Sequence, residues 1–356
     1  MKLFKKFIVA ALIAVMVFSF AGCHKKDEVA LNIDGIDITS ALYMYTLIES
    51  DLEAKQKVDA NHADDKDKSD IDYYSEQIDG VNFVEYVKAD AIKRCKKIAL
   101  YQKLLDQKLI TITDEEKKEA ETYAENYWAY YGYSSVFEPN GVSLNTFKKA
   151  FLASNYADLH FKSIYGKDGE KEVSNDTLVK TLNDKYILVY TLTEQYAEKA
   201  TDEEKAALKN KYQGYADRLK KGEAYQTIYE EINGKSETSE STTESTEGAP
   251  KDKYATVIGA EDTSYASDDY NDIDALSVNE VKLIENSEKT GFTVYKKLDI
   301  NADPYYLDAL TDDMLYLLKT DEYEETVNGL IKDMQVEENT YATKRFKVKK
   351  IIYPEA

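Results

Sequence analysis

Cysteine and histidine are both scarce in this chain, and each scarcity closes off a kind of chemistry. The only two cysteines, Cys23 and Cys95, are too few for the disulfide framework that staples many exported domains. Histidine occurs only as His24, His62 and His160, and no pair of them has the spacing of a zinc site. There is no Gly-x-Ser-x-Gly elbow and no glycine-rich loop to cradle a phosphate, so neither a serine hydrolase nor a nucleotide-binding module is expected. The aspartate-rich stretches 64–72 and 261–274 lack the glycine and closing glutamate of a calcium loop and read as solvated surface. No metal and no cofactor is therefore expected. Basic charge is in deficit: the formal net charge is −21, which repels nucleic-acid phosphates.

Long apolar runs are absent with one exception. Lys2, Lys5 and Lys6 precede the apolar run Phe7 to Phe20, which ends in Ala21-Gly22-Cys23. The run is shorter than the roughly 20 residues that span hydrocarbon as a helix. A basic start, an apolar middle and a small-residue end form the secretory pattern. A cysteine directly after Ala-Gly resembles the lipobox of bacterial lipoproteins, with Phe20 standing where leucine is usual. That resemblance makes 1–22 a signal peptide and Cys23 the lipidated first residue of the mature chain. Two acyl chains hold a protein stably on a membrane, so the expected location is the extracytoplasmic face of the cell membrane, lipid-anchored.

Beyond a polar tether at 23–28, Val29 to Thr39 alternates around Asp34-Gly35 as a hairpin. Thr39 or Ser40 then caps a helix to about Lys57, and 58–72 reads as a loop. Val84, Val87, Ala91, Cys95, Ile98, Gln102, Leu105 and Leu109 fall at steps of three and four and set one core-facing stripe, in which Cys95 packs as a small hydrophobe. Thr113 caps the next helix with Asp114, Glu115 and Glu116 in its first turn. A loop over Gly132–Gly141 follows, then a helix capped by Ser143 and running to Tyr165, in which His160 has a structural place. After a boundary near Lys171, Ser174 caps a short helix, Tyr186–Leu192 reads as a buried strand, and Thr201 caps a long helix to about Ile232. Residues 234–253 are too rich in Ser, Thr and Glu to bury apolar surface and read as a disordered insert. Thr290–Ile300 reads as a strand, Thr311 to about Met334 as a helix, and Arg345–Tyr353 as a closing strand. The fold class is α+β. The expected organisation is a helical lobe over 29–171, an α/β domain over 172–300, and a helix and strand over 301–356 that return to the first lobe.

Tyrosine is the unusual abundance: 30 of them, against 11 Phe and one Trp. A phenol ring offers wide apolar area with a polar tip at small entropic cost, which suits a surface that holds varied extended peptides. Tyr123, Tyr127, Trp128, Tyr130, Tyr131 and Tyr133 are the candidate peptide-binding cluster, weighed evenly against a role in packing.

The order of these pieces resembles the PrsA/SurA-type lipoprotein foldases, in which a helical chaperone lobe carries a parvulin-type prolyl isomerase domain. The residues that carry the resemblance are Asn32-Ile33-Asp34-Gly35, the joint Lys108 to Glu116, Val173-Ser174-Asn175-Asp176 and Lys185 to Val189. Leu219 to Tyr225, Ala275 to Val281 and Gly291 to Val294 extend it. Active parvulins place one histidine before the Ile-Leu of the first strand and a second after Gly-Phe or Gly-Tyr, facing one groove beside the twisting X-Pro bond. This chain has Tyr186 and Thr293 at those positions. The resemblance thus implies a foldase whose isomerase site is degenerate, facing a rotation barrier of about 18–20 kcal/mol. The leading expectation is a membrane-tethered chaperone that holds unfolded exported polypeptides without nucleotide. An active peptidyl-prolyl cis-trans isomerase is the alternative, and a solute-binding lipoprotein, which requires repeated strand–helix lobes, is a second.

Overall fold

In the computed structural model the described residues are 28–62, 71–234, 249–262 and 267–354. The signal segment, Cys23, His24 and most of the Ser/Thr/Glu-rich tract lie outside them. The architecture is α+β, and the chain divides into two compact units. One holds the described residues of Met1–Glu172 and Lys319–Ala356; the other is Val173–Leu318.

The first unit opens with a hairpin, β1 (Val29–Ile33) and β2 (Ile36–Thr39). Its turn needs left-handed backbone at both central residues, which Asp34 (φ 50°) and Gly35 (φ 89°) supply. The Thr39 hydroxyl accepts from the Leu42 amide and starts α1 (Ser40–Asn61). A two-stranded ribbon, β3 (Gln77–Ile78) and β4 (Val81–Asn82), precedes α2 (Phe83–Asp106). Phe83, Val87, Ala91, Cys95 and Ala99 of α2 are fully buried. Cys95 sits 3.3 Å from the Thr46 hydroxyl, and burial raises its thiol to about 12. It is inert packing.

α3 (Asp114–Tyr130) begins with a capping box, in which the Thr113 hydroxyl accepts from the Glu116 amide and the Glu116 carboxylate accepts from the Thr113 amide. The segment read as a loop carries the single turn α4 (Ser134–Phe137), and α5 (Leu144–Tyr165) follows under its Ser143 cap. His160 Nδ1 meets the Tyr323 hydroxyl at 3.1 Å, and burial lowers its pKa, a structural placement.

The second unit is built on one antiparallel sheet. α6 (Asn175–Lys185) leads into β5 (Tyr186–Gln195), then α7 (Asp202–Lys220), α8 (Tyr225–Asn233), β6 (Thr256–Gly259), α9 (Ser267–Asp274), β7 (Val281–Glu285) and β8 (Gly291–Leu298). The strand order is β6-β5-β8-β7. Leu192, Phe292, Val294 and Val281 form one core with Tyr212, Tyr215, Leu219 and Ile228 of α7 and α8. Ile187, Val189, Ile258, Ile284 and Tyr295, on the other face, pack with Ile273 of α9.

Two expectations need correction. The long helix read over 201–232 is broken in two, within the segment Leu219–Tyr225 that resembles the foldases' helix-to-helix turn. Gly222 takes φ +90°, open to glycine without penalty, and the Arg218 guanidinium clamps Glu223 past the turn and Glu231 on α8. The closing strand 345–353 is also not a strand. After α10 (Tyr305–Lys332), β9 (Val336–Glu338) pairs with β1, α11 (Thr340–Thr343) makes one turn, and 348–350 is a 3₁₀ turn. Val348 and Ile351 are buried, so the apolar spacing is real. Side chains hold this segment in place of a strand ladder: Asn140 donates to the Ile352 carbonyl at 2.8 Å and accepts from its amide at 2.9 Å. The Tyr353 hydroxyl donates to Asp51 at 2.7 Å.

Candidate functional site

The aromatic cluster is assembled by the C-terminal end of α3. Gly132 (φ +63°) lies just past the helix. Its amide donates to the Ala129 carbonyl at 3.3 Å, and the Tyr133 amide donates to the Trp128 carbonyl at 3.1 Å. These two bonds are the Schellman motif, which reverses the chain and brings the residue after glycine back against the last helical turn. Tyr133 therefore returns beside Tyr131, with ring centroids 5.6 Å apart and planes at 26°. Tyr131 in turn stacks on Tyr127 at 5.5 Å and 17°. Tyr130 adds an edge contact to Tyr131 at 4.9 Å.

A rigid backing holds this row. Tyr133 lies 5.3 Å from Phe147 and 5.7 Å from Phe137, and Tyr127 lies 5.9 Å from Phe151. These separations fall in the favourable range for aromatic pairs. Trp128 is the correction to the sequence reading. It is only 8% exposed and packs on Phe137 and Phe147 at 5.8 and 5.4 Å, so it belongs to the core. The helical period turns it inward while its neighbours point out: Tyr130 is 83% exposed and Tyr131 38%. Tyr123, one turn before Tyr127, is half-buried. Among the described residues, the phenols of Tyr127, Tyr130, Tyr131 and Tyr133 have no hydrogen-bond partner.

The sequence reading missed what stands at the Tyr133 end of the row. Tyr45 of α1 stacks on Phe137 at 5.3 Å, and one turn later comes Glu49. Glu49 is half-buried and makes no hydrogen bond or ion pair among the described residues. Burial is the main cause that raises its carboxyl to about 7; Arg94 opposes and Glu53 adds to the rise. Tyr133 is pushed up to about 12, first by burial and then by the charge of Glu49. The first acid after the largely apolar stretch Ala41–Ile48 was the available signal.

The two positions that the foldase resemblance assigns to the isomerase site do not meet. Thr293 on β8 pairs with Thr193 on β5, their hydroxyls 2.9 Å apart. Tyr186 is at the far end of β5, paired with Gly259. At about 3.3 Å per residue that is roughly 23 Å along the strand. Tyr186 and Thr193 are an odd number of residues apart, so alternation puts them on opposite faces of the sheet. Both Tyr186 (9% exposed) and Thr293 (8%) are buried. The implied common groove is not formed by these residues. The described residues contain no group of His, Cys, Asp and Glu suited to a metal, and no helix long and apolar enough to cross a membrane.

No protein-family model matches the chain, and no curated protein matches it significantly. Among solved structures, a crystal structure of foldase protein PrsA from Streptococcus pneumoniae str. Canada MDR_19A superposes with a TM-score of 0.38 at 13% identity, covering 67% of this chain and 80% of that one. The foldase protein PrsA from Lactococcus lactis gives a TM-score of 0.38 at 13% identity, covering 89% and 97%.

Proposed function

We propose that this protein is a lipid-anchored extracytoplasmic chaperone that holds unfolded exported polypeptides, with prolyl isomerase activity weak or lost. The observation that supports the holding role most is the row Tyr127–Tyr131–Tyr133 with exposed Tyr130 beside it. Rings preset against a packed wall offer apolar area without the entropy of ordering them at each encounter. Their spare phenols accept or donate to whatever backbone lies across them, so the grip is broad rather than sequence-bound. Capture needs no nucleotide and is reversible, because each ring contributes only a fraction of the binding energy.

The separation of Tyr186 from Thr293 supports the loss of isomerase activity. Lowering the X-Pro barrier needs polar groups converging on one proline ring, and these two buried side chains do not converge. Anchoring through Cys23 completes the proposal: the acyl chains hold the acidic body at the membrane where exported chains emerge.

Three assays test the parts separately. The delipidated chain is expected to slow aggregation of a denatured substrate without added nucleotide. It is expected to leave the slow phase of a proline-limited refolding reaction unchanged; acceleration of that phase would establish the isomerase alternative instead. Cys23→Ser is expected to abolish labelling by radioactive fatty acid and release the protein from membranes, whereas retained membrane association would overturn the lipid anchor.

A further inference from the structure

Glu49 stands beside the aromatic row, and the holding role does not use its chemistry. Its surroundings are specific. Tyr45 stands one turn before it on α1 and Tyr133 approaches from the segment after α3; its charge bears on both phenols. Arg94 of α2 faces it but is already engaged, its Nε on Asp90 at 2.6 Å and its other end on Glu53. Tyr353 of the C-terminal segment also feels its charge but donates its own hydroxyl to Asp51. Glu49 thus has an aromatic wall, a cation already engaged by two other acids, and no donor of its own among the described residues. A half-buried carboxylate left unsatisfied is unfavourable, and a cationic partner satisfies it best. Ammonium and guanidinium groups also favour the faces of tyrosine rings.

We infer that Glu49 is the anionic anchor of the tyrosine row, so that the surface selects polypeptide segments in which a lysine or arginine lies close in sequence to aromatic residues. This inference rests on the proposed peptide-holding role of the row. Alternate side chains of an extended peptide lie about 6.6 Å apart on one face, close to the 5.5 and 5.6 Å ring spacing of Tyr127, Tyr131 and Tyr133. A peptide laid along the row with its aromatic residues over these rings thus carries a basic residue, placed beyond them in step, to the Glu49 end. The net charge of −21 draws such segments in and repels acidic ones.

The test uses the full chain and three dye-labelled unstructured peptides, identical except at one position that carries lysine, N-acetyl-lysine or glutamate beside two aromatic residues. Fluorescence anisotropy at pH 8 and moderate salt is expected to rank them in that order, with lysine bound roughly 5- to 10-fold more tightly than acetyl-lysine, the size of a charge-assisted contact. Glu49→Gln is expected to bring that ratio to about one, and Glu49→Asp to restore part of it. In the wild type the ratio is expected to shrink between pH 8 and pH 6 as the carboxyl takes up its proton, while Glu49→Gln shows no such trend. Replacement of Tyr130 and Tyr131 by alanine is expected to weaken all three peptides alike. A lysine preference that survives Glu49→Gln overturns the anchor while leaving the row as a peptide surface. Failure of all three peptides to bind the wild type overturns the row itself, and the anchor with it.

Discussion

Three tyrosines of the sheet unit and the row at the end of α3 use the same side chain in opposite ways. In the sheet unit, Tyr190, Tyr212 and Tyr225 are framework with their hydroxyls engaged. Tyr212 is 2% exposed and donates to Glu194 at 2.8 Å, Tyr225 is 7% exposed and donates to the Thr191 carbonyl at 2.7 Å, and Tyr190 stacks on Tyr225 at 4.2 Å while donating to Asp252. In the helical unit, the row at the end of α3 is half-buried to fully exposed, and its phenols are unengaged among the described residues. A ring whose polar tip is already satisfied inside the protein is a packing element. A ring whose tip is left open at a preset surface is available to something else. Tyrosine abundance alone therefore says little, and hydroxyl pairing says which tyrosines are free to act.

The largest effect that sharpens this contrast is expected inside the sheet unit. Phe292, 1% exposed and 5.1 Å from the Tyr212 ring, joins strand to helix; Phe292→Ala is expected to destabilise by about 3–5 kcal/mol in denaturant titration. Next comes Glu49→Gln in the helical unit. The folded carboxyl titrates near 7, above its ordinary 4.5, so the folded state binds the proton more tightly than the unfolded one. Wild-type stability therefore falls as pH rises from about 4.5 to 7, and the glutamine variant escapes that loss. The variant is expected to be more stable at pH 8 by at most about 3 kcal/mol, with the difference gone below pH 5. Tyr353→Phe removes a donor from Asp51, whose side chain is fully buried and, among the described residues, keeps Lys55 at 2.7 Å; a loss of about 1–2 kcal/mol is expected in the same titration. Gly132→Ala strains the left-handed Schellman position and is expected to cost about 1 kcal/mol. It also shifts Tyr133 from its neighbour, so peptide affinity is expected to fall with it. Smallest of all, Tyr130→Ala is expected to leave stability within about 0.5 kcal/mol while weakening peptide capture. An equal loss of stability and capture would place Tyr130 with the packing tyrosines.

Local signals in the sequence were faithful. Thr39, Thr113, Ser143, Ser174 and Thr201 all cap the helices that follow them, because a cap is decided within four residues. Partnership over long range was not legible. The alternation of Val348 and Ile351 reads as a strand, yet the neighbour it finds is Asn140, which replaces a ladder by two side-chain bonds. β9, three residues long, exists because β1 offers an edge some 300 positions earlier. The same limit applied at the site. The cluster 123–133 was visible as composition, but which ring turns inward depends on Phe137 and Phe147, and Trp128 was taken by them. Tyr45 and Glu49 were missed because they reach the row from α1, through contacts that only the tertiary fold creates. The paired positions Tyr186 and Thr293 were recognisable as motif slots, whereas their separation is a matter of strand register.

The central claim is that unfolded polypeptide lies on the row at the end of α3 rather than on Tyr229, an exposed tyrosine of the sheet unit. Tyr229, 36% exposed and packed against Tyr225 and Tyr254, is the matched control. A photo-reactive benzoylphenylalanine placed at either Tyr130 or Tyr229 in the full chain, irradiated with a labelled denatured substrate, reads this directly. Strong crosslinking from position 130, little from 229, and competition by an unlabelled aromatic and basic peptide are the expected result; equal yields from both positions, or none from 130, would contradict it.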